Sequence, residues 1–379
     1  MALILPRLAE QPRLRVAQAI KGLAANESIR LMALAVALGL FGGYLALGFR
    51  EAASLVQWFL FGEDGERLIS RARELPWTHI IAATTIGGLL VGVLNHLFLG
   101  GRRPQGVANI IERAALHNGD MDLKSGLASA LSSAVSVGVG ASVGREGAIL
   151  HLTTTLASNL RRALGLADEH ALTLLGCGVA AAVAASFNAP IAGVFFALEV
   201  VIGHYGLRAF SPIVISSVVG TMITRVHYGD FPAFVLPSYQ IATFWEFPAL
   251  LLLGVVIGLS AIAFMAAIFY AEDTFDRSRV PPLLRPALGG LAIGIVAVWF
   301  PEILSVGYEA TDAALNDELA FHMLILLAGL KAAATAACIG ARFGGGVFAP
   351  SLFIGAMIGG AFGMVAAAAA PQVGAEPGL

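Results

Sequence analysis

The sequence predicts an all-α polytopic membrane protein, and three observations carry that prediction. Of its 379 residues, 58% are hydrophobic and 13% are charged, whereas about 25% of the residues of a typical soluble domain are charged. Apolar runs long enough to cross a hydrocarbon core of roughly 30 Å recur along nearly the whole chain. Proline and glycine interrupt some of these runs, which predicts broken helices rather than a uniform bundle.

A basic segment precedes the first apolar run. The positive residues of this segment are Arg7, Arg13, Arg15, Lys21 and Arg30. Because positive residues that flank a span stay on the cytoplasmic side, they predict a cytoplasmic N-terminus. The pattern of residues 1–30 predicts a short interfacial helix. The apolar stretch at its start is too short for the core of a signal peptide, so we expect no secretory cleavage.

The remaining elements follow from the apolar runs. Long runs occupy residues 31–49, 76–101, 125–144, 171–203 and 248–271, shorter runs occupy 286–300 and 321–330, and residues 343–375 contain no charged residue. Each long run predicts one membrane-crossing helix, except that 171–203 is too long for one upright helix. In the last stretch, Gly355, Gly359 and Gly363 have the spacing that lets helices pack closely.

Two runs are predicted to break within the membrane. The first has Pro190 near its middle, and proline removes a backbone donor and disfavours helical geometry in the residue before it. We therefore expect two helices that meet near residues 186–190. The second break is at 343–350, where three glycines precede a helix with Pro350 in its first turn. Irregular backbone at membrane depth is tolerated only inside protein or beside water, so both breaks mark candidate functional regions.

The composition excludes several other classes of function. The net charge is −2 and no long basic run occurs, so we expect no nucleic-acid partner. Cys177 and Cys338 lie in apolar runs without a second thiol or a histidine at metal-ligand spacing, and we interpret them as packed side chains. The sequence has no paired-histidine motif and no phosphate-binding loop, so we expect no metal, no cofactor and no ATP-driven pumping.

An ionisable pair lies between two apolar runs. Arg145 and Glu146 follow a long uncharged stretch, and charge at membrane depth is costly and usually functional. Glu146 is therefore expected to face a polar pathway, the alternative being a structural ion pair with Arg145. Helix N-termini present unpaired N–H groups and about half a positive charge, which together bind an anion. Glycine-rich helix starts near Gly106, Gly147 and Val347 are candidates for such binding.

At these residues the sequence resembles the CLC family of chloride channels and transporters. Residues 144–147, Gly-Arg-Glu-Gly, resemble the G-K/R-E-G-P motif of that family. Residues 345–350, Gly-Gly-Val-Phe-Ala-Pro, resemble its G-x-F-x-P motif, and residues 186–193 resemble its helix junction between the two. The motifs stand in the order of the family, and the similarity covers nearly the whole chain.

The resemblance implies an inverted-repeat fold of tilted and broken helices, in a transmembrane domain over residues 31–379. The first repeat would cover about 31–230 and the second about 245–379. The family's next broken-helix region, and a tyrosine that caps the central anion, would lie beyond residue 370, so we expect an incomplete second half and a fragment of a longer protein. The resemblance also implies a homodimer in the plasma membrane, in contact with lipid.

Roles for particular residues follow from the same resemblance. Glu146 occupies the position of the gating glutamate, whose carboxylate competes with the permeating anion and swings aside when it is protonated or displaced. Val347 and Phe348 match positions whose backbone N–H groups bind the central anion. The predicted anion-binding residues are Gln105, Gly106, Arg145, Gly147, Val347 and Phe348. The implied function is transmembrane transport of a small anion, chloride first, through a pore gated by a glutamate, with no enzyme activity.

Three departures from the family pattern affect this prediction. Gln105 replaces the serine that hydrogen-bonds the anion, although a glutamine N–H₂ group can still donate. Ala148 replaces the proline that follows the gating motif. Val200 stands where family antiporters carry an internal glutamate, and a valine cannot relay a proton. We therefore favour a channel over the alternative, a Cl⁻/H⁺ antiporter, in which Glu199 is the possible proton path.

Residues 140–144 suggest a different class of function. They match G-x-S-x-G, the nucleophile motif of serine hydrolases, and His151 lies nearby. That motif requires a strand before the serine and a histidine supported by an acid, whereas the surrounding sequence predicts a helix rich in small residues. An intramembrane serine hydrolase that uses Ser142 is the remote alternative.

Overall fold

The computed structural model describes residues 27–63, 67–230, 234, 244 and 246–369. These residues form fourteen α-helices and no β-strand, which confirms the all-α prediction. The interfacial helix predicted within residues 1–30 lies outside the described residues, apart from its last four, which begin the first helix. The boundaries of the two predicted repeats stay a prediction.

The helices are numbered here in chain order. The first nine are α1 (Glu27–Phe61), α2 (Leu68–Glu74), α3 (Trp77–Leu99), α4 (Val107–Leu116), α5 (Leu123–Gly138), α6 (Glu146–Ala163), α7 (Ala171–Phe187), α8 (Pro190–Phe196) and α9 (Leu207–Tyr228). The other five are α10 (Glu246–Arg277), α11 (Arg285–Ala297), α12 (Tyr308–Leu315), α13 (Phe321–Gly340) and α14 (Phe348–Ala369). A π-helix over Ala197–Ile202 continues α8, and 3₁₀ turns occupy Asp168–His170 and Pro301–Ile303.

Seven of the described helices are long and apolar enough to cross a membrane, namely α1, α3, α7 with the 3₁₀ turn before it, α9, α10, α13 and α14. Helix α7 lies in the core of the first half, where it packs against α1, α6, α8 and α9. Helices α3 and α11 pack together, and α13 packs between α10 and α14. The predicted polytopic arrangement is therefore confirmed.

The first predicted break is observed where the sequence places it. Helix α7 ends at Phe187, the next residue, Asn188, has a left-handed backbone with φ 54°, and α8 begins at Pro190. Proline suits the first helical position because its missing N–H would have no intrahelical acceptor there. The second predicted break is observed as well, since α14 begins at Phe348 with Pro350 in its first turn.

Helix boundaries differ from the sequence prediction where charges or turns were misjudged. Helix α1 continues past Arg50 and Glu51 to Phe61. Both charged residues contact Tyr228 of α9, whose ring lies under the Arg50 guanidinium and whose hydroxyl donates a hydrogen bond to Glu51. Helix α5 ends at Gly138 rather than at residue 144, because the chain turns at Gly140, where φ is +86°.

The short apolar run at residues 321–330 stops at a charged residue, Lys331, but the helix does not. Lys331 lies inside α13 with no exposed surface. Its Nζ donates hydrogen bonds to the carbonyl oxygens of Ile303 (3.0 Å) and Ser305 (2.7 Å), and it lies 5.1 Å from the centre of the Phe353 ring. These contacts replace water around a buried ammonium group, so the helix continues through the charge to Gly340.

The glycine spacing in α14 does not produce close packing within the described part of the chain. No heavy atom outside the helix's own backbone lies within 4 Å of the position that a Cβ would take at Gly355 or Gly359. Cys177 and Cys338 are buried and unpaired, as the sequence predicts for packed side chains.

Replacing Asp122 with alanine is expected to destabilise α5 without affecting the other helices. Asp122 caps α5, and its carboxylate accepts a hydrogen bond of 2.8 Å from the Ser125 backbone N–H, which lowers the pKa of Asp122. Loss of such a cap costs about 1 kcal/mol. Thermal unfolding in detergent should show this loss for D122A at neutral pH and a smaller loss for D122N, which keeps an acceptor but not the charge.

The same hydrogen bond gives that capping energy a pH dependence. Because the pKa of Asp122 is lower in the folded protein than its ordinary value of 3.8, its contribution is present above that value and is lost as the pH falls through the folded-state pKa. Equal melting temperatures of D122A and wild type at neutral pH would contradict the capping role.

Candidate anion-binding site and gate

The loop before α6 and the loop before α14 are joined by backbone hydrogen bonds. Gly144 and Gly346 form an isolated antiparallel β-bridge, in which each N–H donates to the carbonyl oxygen of the other at 2.7 Å. The predicted gating motif and the predicted anion-binding motif are therefore in direct contact, although about 200 residues separate them in sequence.

This approach depends on residues that lack side chains. A Cβ on Gly147 would lie 3.0 Å from the Cα of Gly346. Gly106, the residue before α4, also lies next to this loop. A Cβ added to Gly106 would be 3.8 Å from the carbonyl oxygen of Gly345. The structure thus brings together the starts of α4, α6 and α14, the three that the sequence predicts to bind an anion.

The start of α14 presents backbone donors to this region. The carbonyl oxygen of Val347 accepts a hydrogen bond of 2.8 Å from Ser351 N–H. By helix geometry the N–H groups of Phe348 and Ala349 have no intrahelical acceptor, and Pro350 has no N–H at all. Together with the helix dipole, these groups place partial positive charge at the start of α14.

Glu146 lies beside these donors. It is the first residue of α6 and has no exposed surface. Its Oε1 accepts a hydrogen bond of 3.0 Å from the Tyr308 hydroxyl and lies 3.8 Å from Arg145 Nε. A Cβ added to Gly144 would lie 2.6 Å from Glu146 Oε2 and 3.1 Å from the amide nitrogen of Ala349. The carboxylate therefore occupies space next to the first amides of α14.

The two oxygens of this carboxylate differ in their environment. Within the described residues, Oε2 of Glu146 is buried and has no hydrogen-bond partner, whereas Oε1 has one. A buried carboxylate oxygen without a donor is unfavourable. The ion pair with Arg145 that the sequence offers as an alternative is present, at 3.8 Å from Nε to Oε1, and Oε2 lies toward the start of α14.

A basic cavity lies beside Arg145 and Tyr308, the two residues that contact the Glu146 carboxylate. Its lining includes Arg50, Gln57, Arg145, Ser305 and Tyr308, and none of the described lining residues is acidic. The guanidinium of Arg145 lies 5.0 Å from the centre of the Tyr308 ring. The guanidinium groups of Arg50 and Arg145 give this lining positive charge, which attracts anions.

Serines of α5 hold two of the loops in place. The Ser129 hydroxyl oxygen accepts a hydrogen bond of 3.0 Å from the backbone N–H of Gln105. The Ser136 hydroxyl oxygen accepts one of 2.9 Å from Gly344 N–H and donates its own proton to the carbonyl of Ser132. Helix α5 therefore anchors both the α4 start and the α14 start.

The junction between α7 and α8 meets the same region through aromatic rings. The Phe348 ring lies 5.2 Å from that of Phe196 and 6.4 Å from that of Phe187, measured between centroids. All three sequence motifs are thus assembled around the start of α14.

Comparison with known proteins identifies the family. The profile described as voltage gated chloride channel matches residues 87–379. The chain belongs to this family, the CLC family. A putative chloride channel protein ClcB-like of Ralstonia nicotianae is similar to this CLC chain, with 34% identity over 333 residues that cover 87% of the chain and 77% of the relative.

Solved CLC structures have the same fold. A slow cyanobacterial Cl⁻/H⁺ antiporter gives a TM-score of 0.78 at 23% identity and covers 92% of this chain and 82% of its own. A CLC-type fluoride/proton antiporter gives 0.73 at 24% identity and covers 90% of this chain and 81% of its own. These similarities confirm the predicted CLC-type fold of a multi-pass integral membrane protein, and the family is one of channels and transporters.

Two predicted residues of this CLC chain differ in surroundings from the rest of the site. Gln105 is half-buried, and its described hydrogen bond is made by the backbone N–H to Ser129. Glu199 is exposed in the π-helix after α8 and accepts a hydrogen bond of 3.2 Å from the Tyr205 hydroxyl. Within the described residues no contact joins Glu199 to Glu146, and its part in a proton path stays a prediction.

The geometry of a serine hydrolase is not formed by this CLC chain. Ser142 is fully buried, its Oγ lies 3.3 Å from the hydroxyl oxygen of Thr335, and its N–H donates to the sulfur of Cys338. His151 has a different partner, because its Nε2 lies 3.2 Å from Asn109 Oδ1. The serine therefore has no histidine base, and in the described chain a helix rather than a strand precedes it.

Tyr308 is the main site residue that sequence reasoning does not find. It is the first residue of α12, and 162 positions separate it from Glu146. The sequence does carry a signal, since a phenol follows Gly307 between two apolar runs, but nothing in that signal points to Glu146. Only the folded structure shows the hydrogen bond.

Proposed function

We propose that this protein moves a small anion, chloride first, across a membrane through a pore that Glu146 gates. The observation that carries the proposal is the position of the Glu146 carboxylate next to the first backbone amides of α14. The proposed anion-binding residues are Gln105, Gly106, Arg145, Gly147, Val347 and Phe348. Arg50 joins Arg145 in the cavity that leads to the gate.

The chemistry of this arrangement suits a permeating anion. Backbone N–H groups and helix dipoles stabilise an anion with partial charges, so they replace its water without holding it as tightly as a full positive charge would. An ionised Glu146 competes for the same donors and blocks the path. When the carboxylate is protonated or displaced, the donors become available to the anion.

Reconstitution into liposomes tests this function. Vesicles loaded with chloride and containing the protein are expected to release it when a potassium ionophore removes the opposing potential, and more rapidly at mildly acidic than at neutral pH. Parallel assays with fluoride and nitrate establish which anion is preferred. Release at the rate of protein-free vesicles for all three anions would contradict the proposal.

The same vesicles separate a channel from an antiporter. We favour uncoupled or weakly coupled transport, because Val200 cannot relay a proton and Glu199 is exposed. With a pH-sensitive dye inside the vesicles, an imposed chloride gradient is then expected to drive little proton uptake. Strong uptake that disappears in Glu199→Gln would instead support the Cl⁻/H⁺ antiporter with Glu199 on the proton path.

The cellular arrangement is proposed from the sequence. The positive residues before α1 support a cytoplasmic N-terminus, and the CLC family resemblance supports a homodimer, surrounded by lipid, in the plasma membrane. Chemical cross-linking of the protein in native membranes is expected to give a dimer, and protease accessibility of an N-terminal tag is expected only from the cytoplasmic side.

A further inference from the structure

The hydrogen bond between Tyr308 and Glu146 links the second half of the chain to the gate. The phenol donates to Glu146 Oε1 at 3.0 Å, across 162 positions of sequence. Tyr308 is half-buried and Glu146 is fully buried, so water does not compete freely for this bond. A hydrogen bond to a buried carboxylate is stronger than one between neutral groups.

The Tyr308 ring is held from two sides. The guanidinium of Arg145 lies 5.0 Å from the ring centre, and the ring of Phe234 makes an edge contact with a centroid distance of 5.3 Å. These contacts restrict the ring, so that its hydroxyl points at Glu146 at little entropic cost.

The backbone before Tyr308 is also anchored. Gly307 has φ +81°, and a Cβ there would lie 2.8 Å from the Phe353 ring and 3.1 Å from Lys331 Nζ. Lys331 in turn donates to the carbonyl oxygens of Ile303 and Ser305. The segment that carries Tyr308 is therefore fixed between α13 and α14, and α14 is the helix whose start borders Glu146.

We propose that the Tyr308 hydroxyl is a latch that holds the Glu146 carboxylate across the anion path and thereby sets how often the gate opens. The inference rests on the gating role of Glu146 proposed above. The phenol donates best to an ionised carboxylate and worse to a protonated one, so it stabilises the blocking form selectively. Tyr308 is a positioning residue, because it acts through Glu146 and not on the anion.

Three other charged groups lie near the gate. Arg145 Nε is 3.8 Å from Glu146 Oε1, Lys331 points to backbone carbonyls, and Arg50 lines the neighbouring cavity. Of the helices packed on α6, α7 and α14 contain no charged residue, and α4 and α5 contain Glu112, Arg113 and Lys124. Helix α1 also packs on α6 and contains Glu27, Arg30, Arg50 and Glu51, of which Arg50 and Glu51 contact Tyr228. His151, one turn further along α6, is paired with Asn109.

Tyr308→Phe tests the latch by removing one hydroxyl and keeping the ring. Anion flux at neutral pH is expected to rise about tenfold, because a bond of ~1.4 kcal/mol that favours the blocked state is lost. The ratio of flux at mildly acidic pH to flux at neutral pH is expected to fall. In a Glu146→Gln background the same substitution is expected to have no effect, since the carboxylate that it acts on is absent.

Tyr228→Phe is the matched control. Tyr228 also donates to a carboxylate, that of Glu51 at 2.7 Å, but this pair does not contact Glu146 in the described structure. Y228F should therefore keep the flux and pH ratio of wild type. Because Phe preserves ring packing, both variants are expected to fold, and size-exclusion profiles and melting temperatures in detergent verify it.

Three outcomes would overturn the latch. Wild-type flux and pH ratio in Y308F would show that the hydroxyl does not hold the gate. An equal rise in the wild-type and Glu146→Gln backgrounds would show a packing effect unrelated to the carboxylate. If Y308F does not fold, Tyr308→Leu replaces it, and an unchanged pH ratio in that variant counts against the latch. The gating proposal fails separately, if Glu146→Gln itself keeps the wild-type pH dependence.

Discussion

Replacing Glu146 with glutamine is expected to make anion flux independent of pH from mildly acidic to neutral conditions. Glutamine has nearly the shape of a protonated glutamate, but it cannot ionise and does not compete with an anion for the amides at the start of α14. At neutral pH we expect flux to rise by at least about tenfold, which corresponds to ~1.4 kcal/mol of lost competition. Chloride efflux from liposomes across a series of pH values measures both effects.

The control for this variant is Glu51→Gln. Glu51 is an exposed carboxylate on α1 that accepts a hydrogen bond from Tyr228, so its neutralisation changes the charge of the protein without touching the gate. E51Q should keep the pH dependence of wild type. A Glu146→Gln protein that still responds to pH as wild type does would mean that another group opens the path, and the gating role of Glu146 would have to be abandoned.

The local features of this fold could be predicted from the sequence. The break at residues 186–190 follows from Pro190, because proline acts on its immediate neighbours. The glycines at 344–346 and the pair of Arg145 and Glu146 likewise mark their own segments, since charge and missing side chains are unusual within apolar runs. The family resemblance then relates these segments to one another.

The contacts between distant segments could not be predicted in the same way. Lys331 stops the apolar run at residues 321–330 but not helix α13, because the carbonyl oxygens of Ile303 and Ser305 accept its hydrogen bonds, which no local pattern reveals. The bond from Tyr308 to Glu146 has the same origin. Periodicity and motif spacing describe residues close in sequence, whereas these interactions depend on how the two halves of the chain pack.

The proposed gate and the proposed anion-binding helix are held together by one backbone contact. The bridge between Gly144 and Gly346 fixes the start of α6 against the start of α14. Gly345 is the residue directly before the bridged Gly346. Since the proposed donors are backbone groups, their position depends on the course of the loops and cannot be restored by a side-chain rotation. Substitutions that move these loops are therefore expected to cost more function than substitutions in the surrounding helices.

Gly345→Ala is expected to abolish anion flux and to destabilise the fold. Gly345 has φ +147°, a conformation that L-residues rarely adopt, and its Cβ would lie 2.5 Å from Val143 Cγ2 and 3.0 Å from the carbonyl oxygen of Gly144. Overpacking of this kind costs about 1–3 kcal/mol before any backbone strain is added. Relief of the clash must separate the two loops and displace the amides of α14 from Glu146.

The same substitution at Gly355 is the matched control. Gly355 lies in α14, and no described heavy atom outside that helix's own backbone is within 4 Å of its Cβ position. Because alanine favours a helix over glycine by about 1 kcal/mol, G355A should keep wild-type flux and a melting temperature at or above that of wild type. Wild-type flux in G345A, in a protein that melts normally, would show that the loops tolerate separation and that the amides of α14 do not form the anion site.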